Sequence, residues 1–101
     1  MRRDRFKEFV QHVKAGSDIV EIIGSRIPLS SSLKAKCPFH DDRNPSFSVN
    51  RTGQYFYCFG CGVAGDVIKF LMLYERRGFL DVILDLAARA GIRVPGSLGR
   101  R

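Results

Sequence analysis

Residues 57–66 read YCFGCGVAGD, and two incompatible readings compete for them. Gly60-Cys61-Gly62-Val63-Ala64-Gly65 fits the G-x-G-x-x-G of a dinucleotide-binding turn, and Asp85 follows at the distance of a ribose-binding acid. Cys58-Phe59-Gly60-Cys61 fits one half of a metal site. Context decides between them. The glycine fingerprint must open the helix of a βαβ unit, and its acid must end a second parallel strand. Asp85 lies instead inside FLDVILDLAARA, a helical pattern, and 101 residues leave no room for several βαβ units.

The metal reading gains a second half upstream. Cys37-Pro38-Phe39-His40 is a C-x2-H pair, and Cys58 and Cys61 form a C-x2-C pair. Each spacing lets one tight turn present two ligands to the same ion. The segment between the pairs reads as a hairpin. In PSFSVN, Phe47 and Val49 alternate with Ser46, Ser48 and Asn50; RTG supplies a turn at residues 51–53; QYFYCF is aromatic and strand-like. Two short ligand pairs joined by a hairpin are the layout of a zinc ribbon. Three thiolates and one imidazole fill the tetrahedral shell of Zn2+, so Cys37, His40, Cys58 and Cys61 make a closed, structural site with no position for water or substrate. All three cysteines are then used. Inert buried cysteines would not explain the paired spacing, a redox C-x-x-C would leave Cys37 and His40 idle, and an iron–sulfur cluster prefers four thiolates. Gly60 and Gly62 flank Cys61, where a knuckle needs unusual backbone angles. His12, on an apolar helix with no ligand near it in sequence, reads as an ordinary helix residue.

Such a chain forms one small domain with a thin core that benefits from a metal staple. The odd cysteine count argues against a disulfide framework and for a reducing compartment, the cytoplasm. No apolar run approaches membrane-spanning length, so no membrane partner is expected. Seventeen basic residues against 10 acidic give a formal charge of +7, which zinc bound by three thiolates lowers only to +6. That balance suits a polyanion, most simply nucleic acid.

Phe6, Phe9, Val10 and Val13 recur at helical spacing over Asp4–Ala15, and Gly16 ends the pattern. Asp18 and Glu21 resemble a capping box opening a short helix with Ile19, Ile22 and Ile23 on one face. SRIPLSSSLKAKC looks extended, with its serines turning between two short strands. After Asp66, an N-cap, a helix carries Val67, Ile68, Phe70, Leu71 and Tyr74 inward, with Gly78 near its stop. A last helix over about 80–90 places Leu80, Ile83, Leu84, Ala87 and Ala90 inward and ends at Gly91. The expected class is α+β: a zinc ribbon, a small antiparallel sheet packed with flanking helices. Residues 1–95 form the domain and 96–101 a basic tail.

The two faces of the hairpin differ. Phe47, Val49 and Phe56 read as core. Tyr55 and Tyr57 share one parity of their strand, Ser46, Ser48 and Asn50 form the polar face of the first strand, and Lys34, Lys36, Arg43 and Arg51 lie near the sheet or its turns. Aromatic rings among cations suit single-stranded nucleic acid, where bases stack and phosphates meet charge. Asp41-Asp42 reads as a solvated turn, and no catalytic constellation is visible in the chain.

DIVEIIG, CPFHDDRNPSFSVN, YCFGCGVAGDVIKFLM and FLDVILDLAARAGI together resemble the N-terminal zinc-binding domain of bacterial DnaG-type DNA primases, the CHC2 zinc finger, from about Asp18 to Val94. The resemblance implies a zinc ribbon with Cys37, His40, Cys58 and Cys61 as ligands. It implies a domain that helps recognise the single-stranded DNA template while a separate Toprim polymerase domain, in cis or in trans, makes the RNA primer. These residues would support primer synthesis without performing it. The segment IPLSSSLKAKC departs from the family in being shorter and in carrying serines where basic residues are usual. Two origins fit the end at GSLGRR, a domain cut from a longer primase or a stand-alone relative. A second function class is a protein-interaction module that docks on the polymerase domain or a replicative helicase.

Overall fold

A computed structural model describes residues 2–41 and 43–95, apart from the side chains of residues 2–4; Asp42 and the expected basic tail over 96–101 lie outside the described residues. The elements run α1 (Arg2–Ala15), α2 (Ile19–Gly24), β1 (Lys34–Ala35), β2 (Phe47–Asn50), β3 (Tyr55–Cys58), β4 (Ala64–Gly65), α3 (Val67–Tyr74) and α4 (Phe79–Ala90). The fold is the expected α+β class, a small antiparallel sheet with flanking helices.

The four strands pair in chain order, each antiparallel to the next. Phe47 stands opposite Cys58 and Val49 opposite Phe56. Side chains alternate across a strand, so Ala35, Phe47, Val49, Phe56 and Cys58 turn inward and are buried. α2 and α3 rest on this sheet, and α4 packs on α1 and α3. Four rings, Phe39, Phe47, Phe56 and Phe70, meet with centroids 5.4–6.3 Å apart and join the first ligand turn, the hairpin and α3 into one core.

Local chemistry fixes the joints. Asp66 caps α3 by accepting from the Lys69 N–H at 2.9 Å, and its other oxygen pairs with Lys14 of α1 at 3.1 Å. Asp18 caps α2 through the Val20 N–H. Gln54, at φ 56 in the hairpin turn, accepts from the Ile19 N–H at 2.9 Å and donates to the Arg51 carbonyl, which ties the hairpin tip to the start of α2. Gly91, at φ 71, ends α4 in the left-handed conformation.

Several expectations need correction. Only one strand forms in SRIPLSSSLKAKC. Ser30 donates its N–H to the Lys34 carbonyl across a turn with Leu33 at φ 62, and β1 begins after it. α3 stops at Tyr74 rather than near Gly78, which instead takes the N-cap position of α4. The inward face of α4 is Val82, Ile83, Leu86 and Ala87, whereas Leu80, Leu84 and Ala90 are exposed. Tyr74 is also partly exposed, its ring stacked on Phe70 at 5.2 Å.

Candidate functional site

The metal site is assembled by the hairpin register. Cys58 closes β3 opposite Phe47, which brings the second ligand turn beside the residues that follow β1. The first turn is anchored from within, because Phe39 sits in the aromatic core and its N–H donates to Cys37 Sγ at 3.4 Å. Phe39 was not singled out from sequence; an apolar residue between two ligands was its only signal. The second turn closes by a Gly62 N–H donating to the Cys58 carbonyl at 2.8 Å, with Gly62 at φ 82. Gly60, by contrast, needs no left-handed backbone. It is small because the His40 ring lies against it.

The ligand atoms of Cys37, His40, Cys58 and Cys61 all lie within 4.8 Å of one another. A tetrahedral zinc with bonds of about 2.0–2.3 Å has ligand–ligand edges of about 3.3–3.8 Å, so the four atoms need only a small contraction to close on the ion. His40 Nε2 stands 3.3 Å from Cys58 Sγ. His40 Nδ1 lies 3.1 Å from the Asp41 carbonyl oxygen and donates to it, which holds the tautomer that leaves Nε2 for the metal. Donor set and spacing fit one structural Zn2+.

The thiols are not equivalent before metal binds. Burial, with the neighbouring Cys58 and Cys61, pushes the Cys37 thiol up to about 12, against a lowering bond from the Phe39 N–H. Burial also raises Cys58. Hydrogen bonds from the Ser46 hydroxyl, the Cys61 N–H and the Gly60 N–H outweigh it and lower this thiol to about 6. Cys58 is therefore the ready thiolate, and Cys37 loses its proton to solvent when the ion binds its sulfur.

The outer face of the sheet carries a row of its own. Lys34 stands opposite Ser48, Ser48 opposite Tyr57, and Tyr57 opposite Ala64; in the next row Asn50 stands opposite Tyr55. Tyr55 is 47% exposed and Tyr57 37%. Lys36 is exposed two residues beyond Lys34, which gives it the same parity. Arg43 is exposed in the loop between His40 and β2, outside the strands. Arg51 sits in the hairpin turn and leans toward α2, 3.9 Å from Asp18. Phe59, not singled out from sequence, is 71% exposed and meets Tyr57 edge-on at 4.7 Å. No described helix is long and apolar enough to cross a membrane.

Comparison with known proteins agrees with this geometry. The profile of the CHC2 zinc finger family matches residues 5–100. DNA primase from Haemophilus influenzae is 40% identical over 92 residues, covering 88% of this chain and 16% of the relative. DNA primase from Synechocystis is 47% identical over 88 residues, 84% of this chain and 14% of the relative. DNA primase from Escherichia coli is 40% identical over 94 residues, 90% and 16%. The chain thus spans about one-sixth of the length of these relatives. The crystal structure of the Aquifex aeolicus primase, with its zinc-binding and RNA polymerase domains, superposes with a TM-score of 0.80 at 40% identity, over 86% of this chain and 22% of the other.

Proposed function

The chain belongs to the CHC2 zinc finger family, and from that premise we propose that it is the zinc-stabilised template-recognition domain of a DNA primase. In this reading it binds single-stranded DNA on the outer face of its sheet and presents it to a Toprim polymerase domain that makes the RNA primer, in the cytoplasm. The observation that carries the proposal is the Lys34–Ser48–Tyr57 row with Tyr55 beside it. The helices cover the inner face, and this outer face keeps two aromatic rings and a cation exposed. Lys36, Arg43 and Arg51 add positive charge around it. A ring offers a stacking surface to any base, and the cations meet phosphates, so binding is tolerant of sequence and sensitive to salt.

Zinc has a supporting part here. When bound it supplies cross-linking energy and offsets most of the thiolate charge, while the chain's own hairpin orients Tyr55 and Tyr57. Fluorescence anisotropy of a labelled thymidine oligomer, titrated with zinc-loaded chain at low salt, tests the reading. Saturable binding that weakens with salt is expected; absence of binding at low salt refutes it.

One observation favours a second reading. Leu73, Phe79, Leu80 and Leu84 are large apolar side chains exposed on α3 and α4. That composition suits a protein-docking surface, for a polymerase domain or a replicative helicase, and would make the chain an interaction module.

A further inference from the structure

Between Tyr55 and Phe59 the outer face is hollowed. The hollow, of about 440 Å³, is lined by Ser48, Asn50, Tyr55, Tyr57 and Phe59. Its walls are aromatic, and its polar groups are hydroxyls and one carboxamide, with no charged side chain in the lining. Tyr55 is held in place from two sides. Its hydroxyl accepts from Asn50 Nδ2 at 3.2 Å, and its ring lies over Gly53 so closely that a methyl group there would stand 2.6 Å from it. Asn50 is fixed in turn, since its Oδ1 accepts from the Gly53 N–H at 2.6 Å. That leaves one Asn50 N–H, the Tyr55 O–H and the Ser48 hydroxyl to face a ligand. At the other end Phe59 lies between two metal ligands, with its N–H bonded to the Ser46 carbonyl at 2.8 Å. Its edge-on contact with Tyr57 leaves a face of the ring open.

We propose that this hollow seats one unstacked nucleobase of the bound strand, stacked on Phe59 and bonded along its edge by Ser48, Asn50 and Tyr55. A neutral planar heterocycle with polar edges matches aromatic walls and uncharged donors and acceptors; a phosphate does not, because no cation lines the hollow. Because Phe59 is carried by the Cys58–Cys61 turn, loading the metal also sets the wall of the base site. The inference rests on the template-binding reading above and adds to it where a base, as distinct from the backbone, is held.

The test compares a thymidine oligomer with an abasic oligomer of equal length and charge, each titrated with zinc-loaded chain. Wild type is expected to bind the thymidine oligomer about tenfold more tightly or better. Phe59→Ala removes the stacking ring, and Ser48→Leu fills the hollow. Each should lose most of that preference while keeping its zinc, its affinity for the abasic oligomer and its salt slope. If both variants keep the wild-type preference, bases are held elsewhere on the face and the inference fails while template binding stands. If wild type binds neither oligomer, the template reading fails and the base site with it.

Discussion

Gly60 lies against the imidazole of His40: a methyl group at this position would stand 3.2 Å from both Cε1 and Nε2 of the ring and 2.9 Å from Ser46 Oγ. The Ser46 hydroxyl can rotate aside only by giving up its contact with Cys58 Sγ. His40 cannot, because Nδ1 is bonded to the Asp41 carbonyl and Nε2 is the metal ligand.

Gly60→Ala is therefore expected to weaken zinc binding although it changes no ligand. A chelator competition should show a loss of about tenfold, and unfolding should show about 1–2 kcal/mol of destabilisation. Gly78→Ala is the control, since an added methyl there meets nothing within 4 Å; it should leave zinc affinity unchanged.

Zinc affinity should rise with pH. Burial holds the Cys37 thiol up at about 12, so near neutrality it is protonated and metal must displace that proton. Each proton displaced adds about one tenfold step in apparent affinity per pH unit. Calorimetric titration with zinc in buffers of different ionisation enthalpy should record at least one proton released per ion. Affinity that does not change across neutral pH would contradict this.

Glu75 accepts from Arg26 Nε at 2.8 Å and from Arg77 at 2.9 Å, linking the end of α2 to the segment before α4. Those two arginines hold its carboxyl below the ordinary 4.5 against the opposing effect of burial. A depressed folded-state value means that the stabilisation is present above the ordinary value and is lost as pH falls through the folded one. Glu75→Gln should cost about 1 kcal/mol at neutral pH. Urea unfolding at a series of pH values should show that difference closing below about pH 4.5.

How legible these features were depended on whether local spacing determined them. The four metal ligands could be read directly, because each x2 spacing is itself a turn and the alternation of Phe47, Val49 and Phe56 fixed the hairpin between them. The phase of α4 could not. Phe79, Leu80, Val82, Ile83, Leu84 and Leu86 put apolar groups around most of the helix, and contact with α1 and α3 selects the Val82–Leu86 seam over Leu80 and Leu84. β4 escaped notice because Ala64-Gly65 has no alternation to read; its pairing comes from Phe56 and Tyr57 opposite. The constraint on Gly60 is likewise tertiary, set by a histidine far away in sequence.

We propose that the outer sheet face binds single-stranded DNA through rings and cations acting separately. The most direct measurement is the salt dependence of oligonucleotide binding by wild type, Tyr57→Ala and Lys34→Ala chains, all zinc-loaded. Neither residue is a metal ligand, so both variants should retain zinc. Tyr57→Ala should weaken binding by about 1–3 kcal/mol at every salt concentration with the slope unchanged. Lys34→Ala should lower the logarithmic salt slope by about 0.7. Wild-type affinity and slope in both variants would contradict the account and leave the sheet as a protein-docking surface.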